Sequence, residues 1–438
     1  MNSSKNDQLR EWDRAHYWHS FTPMAGYEPL VIARAEGSTL YDVDGNAYLD
    51  AASSMWCAAL GHGHPRINAA IVEQLGKMAH CTSLGMGADI AVRLAKRLAD
   101  LAPGDLQHVF YSSDGSSAVE VAMKQALQYW RQCDSPRTNK TKYLAFGQAY
   151  HGDTIGATAL GGIGRYHDAF APVLCEVIRV AAPDSRSAKS SPLPGGEGEM
   201  ARALSDVRTV LESQADTIAA IVVEPRVQCA AGMLMHPPGF LAGLRKLCDE
   251  YDVLLVADEI AVGLGRTGKL FACNHEDVTP DFLCLGKHLT AGYLPMAVTI
   301  TTPRVYNAFL NREPTDDNTF WHGHTHSGNA LAAAAAMATL DEFESGLMDE
   351  LPAKIAHLNK RWREIATSPR VKHSRQCGMI AAIDLHEPKG QAIASYALER
   401  GVWLRGRDDL VYVMPPLNID ATDLDRILDV VAAALQKI

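Results

Sequence analysis

Short, uninterrupted apolar runs recur along the chain. Between them lie longer stretches in which apolar residues return every third or fourth position. Ile218–Val223, residues 253–257 and Phe282–Leu285 are runs of the first kind. They predict strands buried on both faces, and residues 109–111 and 143–146 read as further strands. Ile67, Ile71, Leu75 and Met78 mark one face of a helix within residues 66–101. Val119, Ala122, Met123, Ala126 and Leu127 mark another, and helices are expected over 201–213 and 330–343. Residues 30–33, 39–43 and 47–50 read as short strands, the last two joined in a hairpin at Asp44-Gly45-Asn46. Toward the C-terminus, apolar runs at 379–385 and 410–414 alternate with helices at 390–400 and 422–436. This alternation predicts an α/β fold with a mostly parallel central sheet flanked by helices, plus a small α+β domain. Residues 1–20 are polar and aromatic and are expected to drape over the body. Residues 183–199, rich in Ser, Pro and Gly, read as an irregular surface insertion.

Composition narrows the function classes. A formal charge of −10 argues against a general nucleic-acid binder and against an anionic membrane surface. The N-terminus has no apolar core of signal-peptide length, and the alanine-rich run 330–340 is too short to cross a bilayer. Nine cysteines without a C-x-x-C pair suit reduced thiols in a cytoplasmic protein.

Chemistry concentrates at the ends of two apolar runs. Residues 253–257 stop on Asp258 and Glu259; Phe282–Leu285 stops on Gly286 and Lys287. Charged groups in such positions are either solvated strand ends or a paired site. The paired reading is a pyridoxal phosphate site. A lysine there forms a Schiff base with the cofactor aldehyde and a carboxylate pairs with the pyridine nitrogen. Between them, residues 263–269 fit the start of a P-loop, but Leu270 stands where its Ser/Thr belongs. Residues 112–117 are small and feed a helix. The arrangement suits an anion site or a plain N-cap. His62 and His64 lie among glycines and a proline, which suits a turn. His322, His324 and His326 alternate in a glycine-bearing loop, and no metal is assigned to them.

The stretch ADEIAVGLGRTGKLFACNHEDVTPDFLCLGK resembles the signature of class III aminotransferases, which are fold-type I pyridoxal phosphate enzymes. The resemblance runs from about Trp18 to the end of the chain. It implies an N-terminal segment over 1–60 packed with the small domain, a large cofactor domain over 61–335, and a C-terminal small domain over 336–438. It implies pyridoxal 5'-phosphate as cofactor, with Lys287 as Schiff-base lysine and proton carrier and Asp258 at the ring nitrogen. Gly115 and Ser116 would hold the phosphate, Tyr150 would stack on the ring beside Ile260, and Thr325 would reach the neighbour's phosphate across a homodimer with shared sites. The substrate pocket would take Phe21, Trp56, Tyr150, Gly323, Arg405 and Tyr412, with Arg405 binding a substrate carboxylate and Arg407 as its rival. Asp153 and Gln228 are candidates for supporting roles.

Within the class, GRTGKLFACNH and the segments at 18–22 and 402–416 resemble the biotin-synthesis branch. That implies 8-amino-7-oxononanoate as acceptor and S-adenosylmethionine or lysine as donor. Phe21 and Met55 depart from the adenosylmethionine-using pattern, so both donors stay open. Three other readings remain: a class III enzyme for ω-amines or diamines, another fold-type I chemistry such as an aminomutase or decarboxylase, and a non-catalytic protein that kept the fold. Arg405 and residues 18–22 speak against the first, production of a keto acid would tell against the second, and intact Lys287 and Asp258 speak against the third.

Overall fold

A computed structural model describes residues 5–186, 197–311, 313 and 315–438. Its centre is a seven-stranded sheet. In chain order the strands are β1 (His108–Ser112), β2 (Lys142–Phe146), β3 (Val177–Val180), β4 (Ile218–Val223), β5 (Leu254–Asp258), β6 (Phe282–Leu285) and β7 (Ala297–Thr301). Across the sheet they run β1-β7-β6-β5-β4-β2-β3. Only β7 opposes its neighbours; the other pairings are parallel. Every residue of β4, β5, β6 and β7 is buried. This is why the runs show no polar alternation: helices cover both faces. The alanine-rich helix Ala330–Glu342 packs closely on Pro65–Leu75, its small side chains permitting the approach.

Two smaller sheets complete the body. Val371–Cys377, Ile380–Leu385, Leu410–Val413 and Arg405–Arg407 form an antiparallel sheet near the C-terminus. Ile32–Glu36, Thr39–Asp42 and Ala47–Asp50 form the other, and Val402–Trp403 joins it in parallel beside Ala47–Asp50.

Several expectations shift. Residues Lys5–His16 form a helix, tethered by Asn6 to the Val43 carbonyl and by Arg10 to Asp44. These are tertiary contacts with the hairpin, invisible to local periodicity. Met78 lies beyond its helix, which ends at Leu75. Of the 183–199 stretch, residues 187–196 fall outside the described residues, and 197–199 already belong to the helix Glu197–Gln214.

The loop 263–269 is packed rather than open, with Arg266 and Thr267 buried. Gly378, between two C-terminal strands, presses on it. Its φ is +57°, and a Cβ there would lie 2.3 Å from the Arg266 carbonyl oxygen. Gly378→Ala is expected to lose more than about 2 kcal/mol of stability, read as a lower denaturation midpoint. A midpoint equal to wild type would contradict this packing.

Candidate active site

The parallel strands end on one side of the sheet, where open α/β sheets bind ligands. Asp258 closes β5 and pairs in register with Cys284 on β6; Lys287 follows just beyond. A cavity of about 720 Å³ opens there. Asp258, Lys287, Gly115, Ser116, Tyr150 and Ile260 all line it.

Asp258 is only 5% exposed. An isolated carboxylate there would be costly, and two groups offset the burial. Asp258 Oδ2 lies 2.7 Å from His151 Nδ1, and Oδ1 accepts from the Ile260 amide at 3.1 Å. Nothing in the sequence singles out His151. Burial disfavours its charged form, but the bond to Asp258, the Asp258 charge and the Glu224 charge together raise its pKa. Glu224 follows β4 and accepts from the amides of Tyr150 and Cys229. Burial pushes its carboxyl up to about 7, with His151 opposing and Asp258 adding to the rise. Glu259 is equally buried, accepts from the amides of Ala272 and Cys273, and is also pushed up to about 7 by burial.

Lys287 sits at φ +36°, in the left-handed region. Its Nζ lies 5.5 Å from the centroid of the Trp56 ring. The Trp56 indole donates to the Tyr412 hydroxyl at 3.1 Å. Burial pushes the Tyr412 phenol up to about 12, further from ionisation. Ser53, Ser54, Met55 and Trp56 all have φ between +45° and +71°. Such a left-handed run of non-glycine residues is strained. Ser53 anchors it to the Met414 carbonyl and Ser54 to Asp50.

The helix Gly115–Gln132 begins at the cavity edge. Asp114 caps it by accepting from the Ser117 amide, and the first backbone bond runs from Ala118 to Asp114. The amides of Gly115 and Ser116 therefore stay free for an anion. A Cβ on Gly115 would lie 2.7 Å from Ile260 Cδ1, and one on Gly152 would lie 2.3 Å from Ser116 Oγ. The cradle thus needs both glycines.

A second pocket of about 170 Å³ adjoins the first and shares Trp56, Tyr150 and Lys287 with it. Phe21, Met55, Tyr166, Arg405, Arg407 and Tyr412 also line it. Tyr166 packs edge-on against both Phe21 and Tyr150. Arg407 donates to the Tyr166 hydroxyl at 2.7 Å, while Asp153 holds the Tyr150 hydroxyl. Among the described residues Arg405 pairs with no carboxylate; its Nη1 meets Met55 Sδ at 2.9 Å. Gln228 is buried and donates to the Gly147 carbonyl at 3.4 Å.

Gly323 and Thr325 lie exposed on the single chain and line neither pocket. Their loop runs beside the cavity rim. His324 meets Ser113, and His322 meets Lys124. The alternating histidines therefore take separate partners.

The residues present fit pyridoxal phosphate. A buried carboxylate marks a place for a ring nitrogen, Tyr150 and Ile260 offer ring contacts, free amides suit a phosphate, and Lys287 stands between the two pockets.

His151 and Glu224 both hold protons more firmly in the folded protein than in the unfolded chain. Their contribution is complete at low pH and is lost as pH rises through the folded pKa values. The contribution of these two groups should therefore fall as pH rises, that of Glu224 between about pH 4.5 and 7. Glu224→Gln should remove about 3 kcal/mol of pH dependence relative to wild type. Denaturant titrations across this range check both; an unchanged slope in the variant contradicts the assignment.

Comparison with known proteins agrees with this geometry. Residues 22–435 match the family described as Aminotransferase class-III. The adenosylmethionine-8-amino-7-oxononanoate aminotransferase of Geobacter sulfurreducens is 43% identical, the alignment covering 96% of each chain. The crystal structure of the enzyme of that name from Methanocaldococcus jannaschii superposes with a TM-score of 0.91 at 35% identity, covering 98% of this chain and 99% of the other. An (S)-enantioselective omega-transaminase from Thermomicrobium roseum superposes with a TM-score of 0.93 at 29% identity, covering 100% and 99%. The family match over nearly the whole chain, falling on a cavity built around Lys287 and Asp258, places this chain among the class-III aminotransferases, the fold-type I enzymes that depend on pyridoxal phosphate.

Proposed function

We propose that this aminotransferase converts 8-amino-7-oxononanoate to 7,8-diaminononanoate in biotin synthesis, taking the amino group from S-adenosylmethionine or lysine. The observation that carries the reading is the second pocket. Lys287, aromatic side chains and Arg405 line it together, and Arg405 is a guanidinium without a carboxylate partner among the described residues. An acceptor with an apolar chain and a terminal carboxylate fits those two features, and the planar donor fork suits a bidentate carboxylate. The Geobacter and Methanocaldococcus relatives carry the matching name.

When bound, pyridoxal phosphate supplies an aldehyde to carry the amino group and an electron-withdrawing ring. The chain's residues do the rest. Gly115 and Ser116 bind the phosphate through their amides. Asp258 orients the ring and holds a proton at its nitrogen, and His151 fixes the carboxylate that does so. Tyr150 covers the ring and, with Tyr166 and Phe21, excludes water. The Lys287 amine would move the proton at the reacting carbon, as base and then acid. The Trp56 ring beside its Nζ limits where the amine can swing.

The same reading has the chain working in the cytoplasm as a homodimer. Thr325 and Gly323 then act in the partner's site rather than in their own. No helix among the described residues is long and apolar enough to cross a membrane. Residues 1–60 are read as a segment packed with the small domain 336–438, around the large domain 61–335. The pairing of Val402–Trp403 with Ala47–Asp50 supports this division.

A half-reaction tests the function. The holoenzyme is mixed separately with S-adenosylmethionine, lysine and a simple diamine, and loss of its visible absorbance is followed. Bleaching by either amino acid, reversed by 8-amino-7-oxononanoate, is the expected result and identifies the donor. Bleaching by the diamine alone, without reversal, favours an omega-transaminase, the reading supported by the Thermomicrobium superposition. Lys287→Ala should abolish turnover. Asp258→Asn should keep some cofactor and lose most of the rate; a near-wild-type rate contradicts the ring-nitrogen role.

A further inference from the structure

Both substrates of a transamination use one pocket in turn, and here they differ at the far end. Lys287 and Arg405 line the same pocket, so a substrate whose amine reacts at Lys287 can carry its other end to Arg405. A carboxylate tail gains from that cation. A donor with an ammonium, sulfonium or neutral tail does not, and a bare guanidinium would repel a cationic one. The chain places a thioether at this point. Met55 Sδ lies 2.9 Å from Arg405 Nη1, and both residues line the pocket.

Three features mark Met55 as more than packing. Its side chain is unbranched, and a thioether is a weak acceptor that is readily displaced by a carboxylate. It sits in the left-handed turn at φ +62°, anchored on either side by Ser53, Ser54 and the Trp56–Tyr412 bond, so its backbone is held while its side chain can move. It remains 36% exposed, so it has room to swing aside. Arg407, the neighbouring cation on the same strand face, is instead occupied by Tyr166 and Asp408.

We propose that Met55 determines specificity by capping Arg405. The thioether covers the guanidinium while a donor with a cationic or neutral far end occupies the pocket, and gives way to the carboxylate of the keto acceptor. The inference rests on the reading that Arg405 receives the acceptor's carboxylate, and it commits the donor to a far end that is not anionic.

Cadaverine and ε-aminocaproate test this, since they have the same methylene chain and differ only in an ammonium or carboxylate end. Half-reaction kcat/KM is measured on holoenzyme for wild type, Met55→Ala and Met55→Leu. Nonanoate binding is read separately as a thermal shift. Met55→Ala should lower the cadaverine-to-aminocaproate ratio by about tenfold and tighten nonanoate binding, an effect of the size expected for uncovering a partly buried charge. Met55→Leu keeps the apolar bulk without the sulfur and should fall between. If Met55→Ala folds poorly, the leucine variant alone decides by the direction of its ratio. Adding Arg405→Ala should erase the change. An unchanged ratio in both Met55 variants, with nonanoate still dependent on Arg405, overturns the cap and leaves the acceptor reading standing. Nonanoate binding indifferent to Arg405 overturns both.

Discussion

A carboxylate at the end of a buried strand needs partners, and the site is arranged around how Asp258 finds them. Its strand is flanked on both sides by other fully buried strands. Water cannot solvate it freely, so His151 and the Ile260 amide do. His151 reaches it from the segment after β2, and Glu224 completes the group from the end of β4. Three strand ends thus converge on one electrostatic problem, and the same convergence leaves a fixed anion suited to the proposed ring nitrogen. Glu259 solves a similar problem by a different route, with the backbone amides of Ala272 and Cys273 beyond the 263–269 loop, and so remains structural.

Backbone strain gathers around the same place. Lys287, Ala291 and the run Ser53–Trp56 all have positive φ without being glycine. Strain of this kind persists only where surrounding structure over-determines it. Here the Ser53 hydroxyl bonds the Met414 carbonyl, the Met414 amide bonds the Ala51 carbonyl, and buried Arg266 donates to the Pro415 carbonyl. His288, next to Lys287, meets the same arginine and the Gly263 carbonyl. The lysine is therefore set by contacts from the N-terminal turn, the 263–269 loop and the C-terminal part together. The sequence around 263–269 looks like a phosphate loop; its work in the fold is to carry this buried arginine.

Two pockets meeting at one amine give the site its logic. In the proposed reading the larger takes a phosphate and ring; the smaller is lined by aromatic rings and the guanidinium groups of Arg405 and Arg407. On that reading chemistry belongs to their junction and substrate choice to the smaller pocket.

The order of strands and helices, and hence the fold class, was legible because buried parallel strands leave uninterrupted apolar runs that no solvent-facing strand would show. Asp258 and Lys287 were legible because a charge ending such a run violates the pattern around it. Gly115 was legible as a small residue at a helix start. His151 carried no such signal, since a histidine after a strand looks alike whether it faces solvent or a carboxylate 107 positions away. The left-handed turn at Ser53–Trp56 carried none either, because its residues have no local preference for that conformation and are held in it by distant backbone groups. The N-terminal helix and the contact between Met55 and Arg405 were invisible for the same reason. Sequence alone determined which segments are buried and which charges are out of place. Only the tertiary structure decided which distant groups answer those charges, because hydrogen bonds and strain depend on positions in space that no local periodicity encodes.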